Sequence, residues 1–205
     1  MVITLVSLGC PKNQVDADIL AHALLKAGHT TTTDMTEADV CIINTCGFIG
    51  DAKEESIEMI LSMAQAKKRR KIGKLIVMGC LSERYREELK AEILEVDAFY
   101  GKFDWVNLAN DLFQDTLSTE NQRVITTPSH YAYIKIAEGC NRTCSYCAIP
   151  IITGKYKSRT IESIVEEVKM LVANGVKEFQ LIAQDLTFYG YDLYKTNKLA
   201  ELVQT

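Results

Sequence analysis

Three cysteines, Cys140, Cys144 and Cys147, lie within a span of eight residues in the stretch GCNRTCSYC. Thiolates are the ligands that iron-sulfur clusters prefer, and these short gaps let one loop wrap a single cluster. Three thiolates hold three of the four irons of a cubane, so the fourth iron stays open for chemistry. A zinc site would usually add a fourth Cys or His, and none follows Cys147 in the sequence. The spacing therefore predicts a 4Fe-4S cluster with one open iron.

The cysteine loop lies between a strand-like run and a helical pattern. The run is 131–137 (YAYIKIA), and the helical pattern begins at about Thr160. We therefore expect the cysteines just past the carboxyl end of a strand, which is where barrel enzymes carry their sites.

Three further cysteines, Cys10, Cys46 and Cys80, each follow an apolar, β-rich run. The runs are 2–8, 40–45 and 75–78, and the helical patterns between and after them are 16–27, 51–68 and 83–94. This alternation predicts a parallel sheet with crossover helices. Adjacent parallel strands lie about 4.8 Å apart, so their tips could bring the three cysteines within about 10 Å of one another.

Cysteine is also a common core residue, so each of these three alone is as consistent with a buried core position as with a ligand. Cys41 lies inside the run VCIINT, and we interpret it as a core residue. The three cysteines at the strand ends, taken together with the downstream triad, predict a second cluster. The histidines show no spacing typical of ligands and are interpreted as structural or surface residues; they are His22, His29 and His130.

The motifs around the cysteines resemble the methylthiotransferases of the radical S-adenosylmethionine (SAM) superfamily. They are SLGCPKNQVDAD, INTCGFI, VMGCLSERY, IKIAEGCNRTCSYCAIP and LIAQDLTFYG. The step CPKN at 10–13 is similar to the RimO branch, whose members methylthiolate an aspartate of small-subunit ribosomal protein twelve. The MiaB branch, which modifies an adenosine of transfer RNA, usually has CQMN there.

The resemblance implies an α/β fold, in which an N-terminal parallel-sheet methylthiotransferase domain precedes the start of a radical SAM partial (β/α) barrel. The implied domains are 1–114, a linker at 115–129, and the first βα units of the barrel at 130–205. Two 4Fe-4S clusters are implied as cofactors, together with SAM. The implied ligands are Cys10, Cys46 and Cys80 for an auxiliary cluster, and Cys140, Cys144 and Cys147 for the radical SAM cluster.

The resemblance also implies a mechanism. One SAM would donate a methyl group to sulfur held by the auxiliary cluster, and a second would be cleaved at the other cluster to a 5′-deoxyadenosyl radical. That radical would take hydrogen from the β-carbon of the aspartate, which would then collect the methylthio group. A reducing electron donor is needed as a partner. Tyr146 is interpreted either as a wall for the adenine of SAM or as a core aromatic beside the cluster.

Two other functions remain open at this point. One is the same chemistry on transfer RNA, and the other is a non-catalytic iron-sulfur or zinc module that acts in electron transfer or scaffolding. Metal analysis separates the second from the enzyme, because two cubanes contain about eight irons.

Composition indicates a soluble protein of the reducing cytoplasm. Seven cysteines, an odd number, without an export signal favour metal ligation over disulfides. No apolar stretch reaches membrane-spanning length, so no membrane partner is expected. The net charge of −4 gives no support for general nucleic-acid binding. The basic run 67–71 (KKRRK) is interpreted either as a solvated helix end or as a contact with the ribosome.

The stretch from Ser129 to Thr205 is too short for a complete barrel, because each βα unit with its returning strand takes about 30 residues. It holds a first strand, a helix and a second strand at 178–183, with Gln184 and Asp185 at the functional end of that strand. We expect no turnover from the 205-residue chain alone.

Overall fold

The computed structural model describes residues 1–35, 38–113 and 122–205. The chain divides into two compact units, Met1–Val124 and Ile125–Thr205. Much of the predicted linker at 115–129 lies outside the described residues, so its role stays a prediction.

Within the described residues, the first unit forms a five-stranded sheet with the order β2-β1-β3-β4-β5, and all four pairings are parallel. This confirms the parallel sheet with crossover helices. In chain order the elements are β1 (Val2–Ser7), α1 (Pro11–Lys26), β2 (Thr30–Thr31), β3 (Val40–Thr45), α2 (Gly50–Lys68), β4 (Lys74–Gly79), α3 (Cys80–Glu92), β5 (Ala98–Phe99) and α4 (Trp105–Phe113).

The central strand β3 is buried over its whole length because helices cover both faces of the sheet. Ile42 packs on one face with residues of α1 and α4, and Cys41 and Ile43 pack on the other with residues of α2 and α3. The interpretation of Cys41 as a core residue is confirmed, since it is fully buried. Burial raises the pKa of its thiol to about 12.

Two helices begin earlier than the apolar pattern predicts. Helix α1 begins at Pro11, directly after Cys10, because proline has the backbone angle of a first helical residue and needs no hydrogen-bond partner there. Helix α3 begins at Cys80 itself, after Gly79 turns the chain with a φ of 99°. The expected starts at 16 and 83 are therefore wrong, and both cysteines lie at helix N-termini.

The second unit contains one parallel strand pair with its crossover helix. Its elements are β6 (Tyr131–Lys135), β7 (Ala137–Glu138), α5 (Ile149–Thr153), β8 (Lys157–Ser158), α6 (Ile161–Ala173), β9 (Glu178–Ile182), a 3-10 turn at Leu186–Phe188, α7 (Tyr191–Tyr194) and α8 (Leu199–Gln204). Strands β6 and β9 pair in parallel, and β7 pairs with β8 antiparallel. Ile164 and Leu171 of α6 pack on Ala132 and Ile134 of β6.

Helices long and apolar enough to cross a bilayer are absent from the described part of the chain.

Candidate metal centres at two groups of cysteines

The sheet brings the first group of cysteines to one edge. Strands β1, β3 and β4 are direct neighbours, with Ser7 opposite Asn44 and Thr45 opposite Gly79. Cys46 directly follows β3, Cys80 directly follows β4, and Cys10 comes three residues after β1. Because parallel strands end at the same edge, the three thiols lie along the carboxyl edge of the sheet. We call them the sheet cysteines.

The backbone beside Cys10 touches the side chain of Cys46. A Cβ added at Gly9 would lie 2.5 Å from the Cβ of Cys46 and 2.8 Å from its Sγ, and the φ of Gly9 is 90°. Only glycine fits both the space and the backbone conformation. The close approach of β1 and β3 at this edge therefore depends on Gly9.

The environment of Cys80 shifts the pKa of its thiol. Burial raises the pKa of its thiol to about 11, the positive charge of Lys102 lowers it, and the thiols of Cys10 and Cys46 raise it. The Cys10 and Cys46 thiols therefore both lie within electrostatic range of the Cys80 thiol. Sulfur-only donor sets of this kind suit an iron-sulfur cluster.

Asn13 joins the ends of three strands through hydrogen bonds. Its Nδ2 donates to the backbone oxygens of Leu8 and Thr45, at 3.0 Å each, and its Oδ1 accepts a bond from the Cys80 thiol at 3.7 Å. Its own backbone oxygen accepts a 2.9 Å bond from Nδ2 of Asn44. Asn13 is 1% exposed, so these bonds form away from water and fix the edge on which the cysteines lie.

Ser56 holds the backbone of Cys46 in place. Its buried hydroxyl accepts a 3.0 Å bond from the Cys46 amide and is 3.1 Å from the Cys46 backbone oxygen. Ser56 belongs to α2, so this helix fixes the turn that carries the thiol.

The second group, Cys140, Cys144 and Cys147, lies on the loop that follows β7. We call it the loop cysteines. The Cys140 amide donates to the backbone oxygen of Gly154 at 3.1 Å. Gly139 has a φ of 82°, and a Cβ there would come within 2.2 Å of the Lys155 backbone oxygen. The loop is therefore pinned where it leaves β7.

The middle of this loop is open to solvent. Residues 141–146 are all exposed, and Cys140 and Cys147 are half-buried. Tyr146 is 87% exposed, so the interpretation as a core aromatic is wrong. Its role as a wall for adenine stays a prediction.

Arg142 connects the loop to the end of β9. Its Nε donates to Oδ2 of Asp185 at 2.9 Å, and its guanidinium lies within electrostatic range of the Cys140 and Cys144 thiols. A hydrogen bond from the Thr187 hydroxyl, with a further one from Arg142, holds the pKa of Asp185 below its usual value. The backbone oxygen of Asp185 accepts a 2.8 Å bond from the Tyr156 hydroxyl.

A polar pair lies at the end of the β6–β9 sheet. Nε2 of Gln184 donates to Oε1 of Glu138, whose other carboxylate oxygen is 3.3 Å from the ammonium of Lys135. Oε1 of Gln184 is buried and accepts no hydrogen bond from any described residue. This oxygen is available to accept a bond from a bound ligand.

Comparisons with known proteins match a stretch of the chain around each group of cysteines. Residues 2–101 match a family described as "Uncharacterized protein family UPF0004", and residues 134–203 match the radical SAM superfamily. Ribosomal protein uS12 methylthiotransferase RimO of Porphyromonas gingivalis is 58% identical over 98% of this chain. The corresponding proteins of Parabacteroides distasonis and Aquifex aeolicus are 56% and 53% identical over 98% and 100% of it. The chain is similar to RimO proteins over nearly its whole length.

The chain spans about half the length of the RimO proteins it matches, with shares of 47%, 48% and 46% in these three. A solved structure of the radical SAM methyltransferase TsrM from Kitasatospora setae matches 99% of this chain and 50% of its own, with a TM-score of 0.63 and 14% identity. A second TsrM structure, with cobalamin and a [4Fe-4S] cluster bound, has a TM-score of 0.60 and 15% identity. These likenesses confirm the predicted fold class.

Side chains of the described residues do not form a group of three or more His, Cys, Asp or Glu arranged for a single metal ion. The ligand assignments of both cysteine groups remain predictions.

The basic run at the end of α2 is partly paired. Nζ of Lys67 lies 2.5 Å from Oδ2 of Asp97 and donates to the backbone oxygen of Glu95 at 2.7 Å, and Lys68 pairs with Glu95 at 2.6 Å. These bonds tie the helix end to the segment before β5 and support the interpretation as a helix terminus. A ribosome contact stays a prediction.

Sequence reasoning missed the residues that support the cysteines. Asn13 and Arg142 lie within the motifs, but their contacts join segments that are far apart in the chain, so no local pattern reveals them. Lys102 gave no signal at all, because lysine is normally a surface residue.

Proposed function

We propose that the protein containing this chain is a radical SAM methylthiotransferase that adds a methylthio group to the β-carbon of an aspartate of ribosomal protein uS12. The observation that carries the proposal is the presence of two separate groups of three thiols, each at the carboxyl end of strands. Identity of 53–58% to RimO proteins over nearly the whole chain supports the same substrate. The protein would act in the reducing cytoplasm with an external electron donor.

Each group is proposed to hold a 4Fe-4S cluster by three thiolates. When bound, the cluster on the loop cysteines would supply an iron for SAM cleavage, and the cluster on the sheet cysteines would supply an iron for sulfur. The sheet cysteines fit this task because Cys46 and Cys80 are 7% and 9% exposed, which shields the site from water. Asn13 and Ser56 would keep these thiols in position.

Around the loop cysteines, the chain would bind and orient SAM. Arg142 and Asp185 would hold the loop at the end of β9, which fixes the thiols relative to the strand edge. The buried Oε1 of Gln184 would accept a hydrogen bond from a donor group of the ligand. The exposed ring of Tyr146 offers a face on which an adenine base can stack.

Triple alanine variants of the whole enzyme test the assignment. We expect about eight irons per chain in the parent enzyme and about four after either set of three cysteines is replaced. The variant of the sheet cysteines should still cleave SAM to 5′-deoxyadenosine but leave uS12 unmodified, whereas the variant of the loop cysteines should lose both activities.

The Cys41→Ala variant is the matched control, because this buried thiol should not bind iron, and its iron content should equal that of the parent enzyme. Stoichiometric zinc in place of iron would contradict the proposal. So would a deletion strain in which transfer RNA loses its methylthio group while uS12 keeps its own.

A further inference from the structure

An apolar groove lies between α2 and α3 of the first unit, and its volume is about 990 Å³. Leu81, Leu89 and Ile93 line the groove and are buried, so they form its floor. Ile57 and Leu61 of α2 also line it, and they are 38% and 46% exposed. Apolar side chains grouped in this way on a surface are typical of a binding site.

The groove has the length and the repeat that suit a helix. Its α2 side extends from Gly50 to Leu61, which is about 16 Å of helix, or about three turns. Ile57 and Leu61 are four residues apart, as are Leu89 and Ile93, so each side presents apolar side chains on successive turns. A groove of this kind accepts the apolar face of a partner helix, whose own anchors recur every three or four residues.

Carboxylates surround the groove. The acidic residues that line it are all exposed and form its rim; they are Asp51, Glu54, Glu58, Glu88 and Glu92. In the described part of the chain, these five side chains form no ion pair or hydrogen bond, whereas Glu87, which does not line the groove, pairs with Lys90 at 3.1 Å. Lys53 is the one cation among the lining residues that the structure describes, and its Nζ lies 5.8 Å from the centre of the Tyr85 ring. The rim therefore carries a negative charge that the first unit does not neutralise.

The charge of the rim indicates what can cover the groove. A two-fold dimer through this face would bring two acidic rims together, and like charges placed opposite each other cost several kcal/mol. Nucleic acids and anionic lipid surfaces are repelled for the same reason. A cationic partner neutralises the rim while its apolar side chains cover the floor.

We propose that the groove between α2 and α3 is a docking site for a partner protein, which inserts an amphipathic helix with apolar residues on one face and Lys or Arg beside them. The apolar face covers Ile57 and Leu61 and removes them from water. The basic side chains pair with the carboxylates that α2 and α3 present on the two sides of the groove. The inference is independent of the proposed function, since no cysteine takes part in it.

Binding of a labelled peptide to the whole enzyme tests the proposal. The probe is a helix of about 18 residues, made of Leu and Lys, in which Leu recurs every three or four residues. Fluorescence anisotropy at low salt gives its dissociation constant. We expect Ile57→Ser combined with Leu61→Ser to weaken binding about tenfold, because the docked face loses apolar contact.

The acidic rim is tested by Glu54→Gln combined with Glu58→Gln, which changes only exposed side chains and so tests the proposal even if the serine variant does not fold. Binding should weaken about fivefold at low salt. The difference from the parent should vanish in about 1 M salt, where charges are screened beyond about 3 Å. The matched control is Glu55→Gln combined with Glu166→Gln, which removes the same charge outside the groove and should stay within about twofold of the parent.

Equal weakening by the rim and control variants would overturn the proposal, because the peptide would then respond only to total charge. So would equal binding of a peptide of the same composition whose Leu residues are scattered around the helix. A parent enzyme that does not bind the probe would also overturn it, since the rest of the enzyme would then cover the groove. Sedimentation that shows a dimer dissociated by Leu61→Ser would assign the groove to a second copy instead and contradict the proposal.

Discussion

The two groups of cysteines differ in what holds them in place. The sheet cysteines are up to 70 residues apart in sequence, and parallel strand pairing, Asn13 and Ser56 bring them to one edge. The loop cysteines are neighbours in sequence, and the exposed part of their loop has few fixed contacts besides Arg142. One site is built by the tertiary fold and the other by a short segment.

The site of the sheet cysteines is preorganised by the fold, whereas the site of the loop cysteines would become ordered only when a cofactor binds. In the first, the energy that orders the ligands comes from the core of the sheet and is already present without iron. In the second, a bound cluster would have to order the loop, so binding and ordering would be coupled.

The largest expected effect is seen by hydrogen exchange after iron is removed from the whole enzyme. The Cys46 amide is bonded to buried Ser56 and should exchange about a thousandfold slower than in an unfolded chain. The amides of residues 144–146 should exchange within about tenfold of the unfolded rate, because the loop is exposed. Equal protection of both segments would contradict the expected difference in order between the sheet cysteines and the loop cysteines.

Much of this contrast can be predicted from the sequence. The apolar runs ending at Cys46 and Cys80 give the strands and their order along the chain, since side-chain burial dictates their composition. The apolar pattern misses the helix starts after Cys10 and at Cys80, because the first turns carry polar residues such as Asn13, which is buried with its hydrogen bonds satisfied. Two-residue strands such as β2 have no periodicity to detect.

The next effect compares one supporting residue from each site. Asn13→Ala should lower the free energy of unfolding of the first unit by about 2–4 kcal/mol, because it removes the hydrogen bonds that this buried side chain donates to the backbone oxygens of Leu8 and Thr45. Arg142→Ala should cost less than about 1 kcal/mol, because the Arg142 side chain is 64% exposed and its ion pair is screened. Denaturant unfolding of the iron-free enzyme measures both, and comparable losses would argue against a preorganised first site.

Alanine substitutions at two glycines of the first unit test whether the close approach at Gly9 positions Cys46. Gly9 and Gly28 both have positive φ, at 90° and 82°, but a Cβ at Gly28 meets no atom within 4 Å. Gly9→Ala should therefore destabilise the first unit by about 1–3 kcal/mol more than Gly28→Ala. It should also lose about four irons, whereas the control keeps about eight. Iron analysis and thermal unfolding of the two variants check this, and equal iron contents would show that Cys46 is not displaced.

The smallest effect concerns the turn at 101–104, in which the Lys102 amide donates to Oε2 of Glu83 of α3 at 3.0 Å. Hydrogen bonds from the Gly101 amide and Arg86 lower the pKa of Asp104. The carboxylate therefore adds stability above about pH 3.9, its unfolded value, and loses it as the pH falls through the lower folded value. Asp104→Asn should cost about 0.5 kcal/mol at pH 7, since the pair is partly exposed.

Unfolding of the parent and Asp104→Asn proteins as a function of pH measures this contribution, and the difference between them should vanish under strongly acidic conditions. A difference that grows on acidification would have the wrong sign.

The register between β3 and β4 has a consequence for biogenesis. Cys10 and Cys80 cannot come to the same sheet edge until β4 has left the translating ribosome and paired with β3, because the two cysteines are distant in sequence. Iron delivered earlier would encounter isolated thiols on a nascent polypeptide. The loop cysteines are synthesised later, but as proposed ligands they would all be available as soon as Cys147 has emerged. If both groups bind clusters as proposed, a folding event would time the loading of one centre and chain elongation would time the loading of the other.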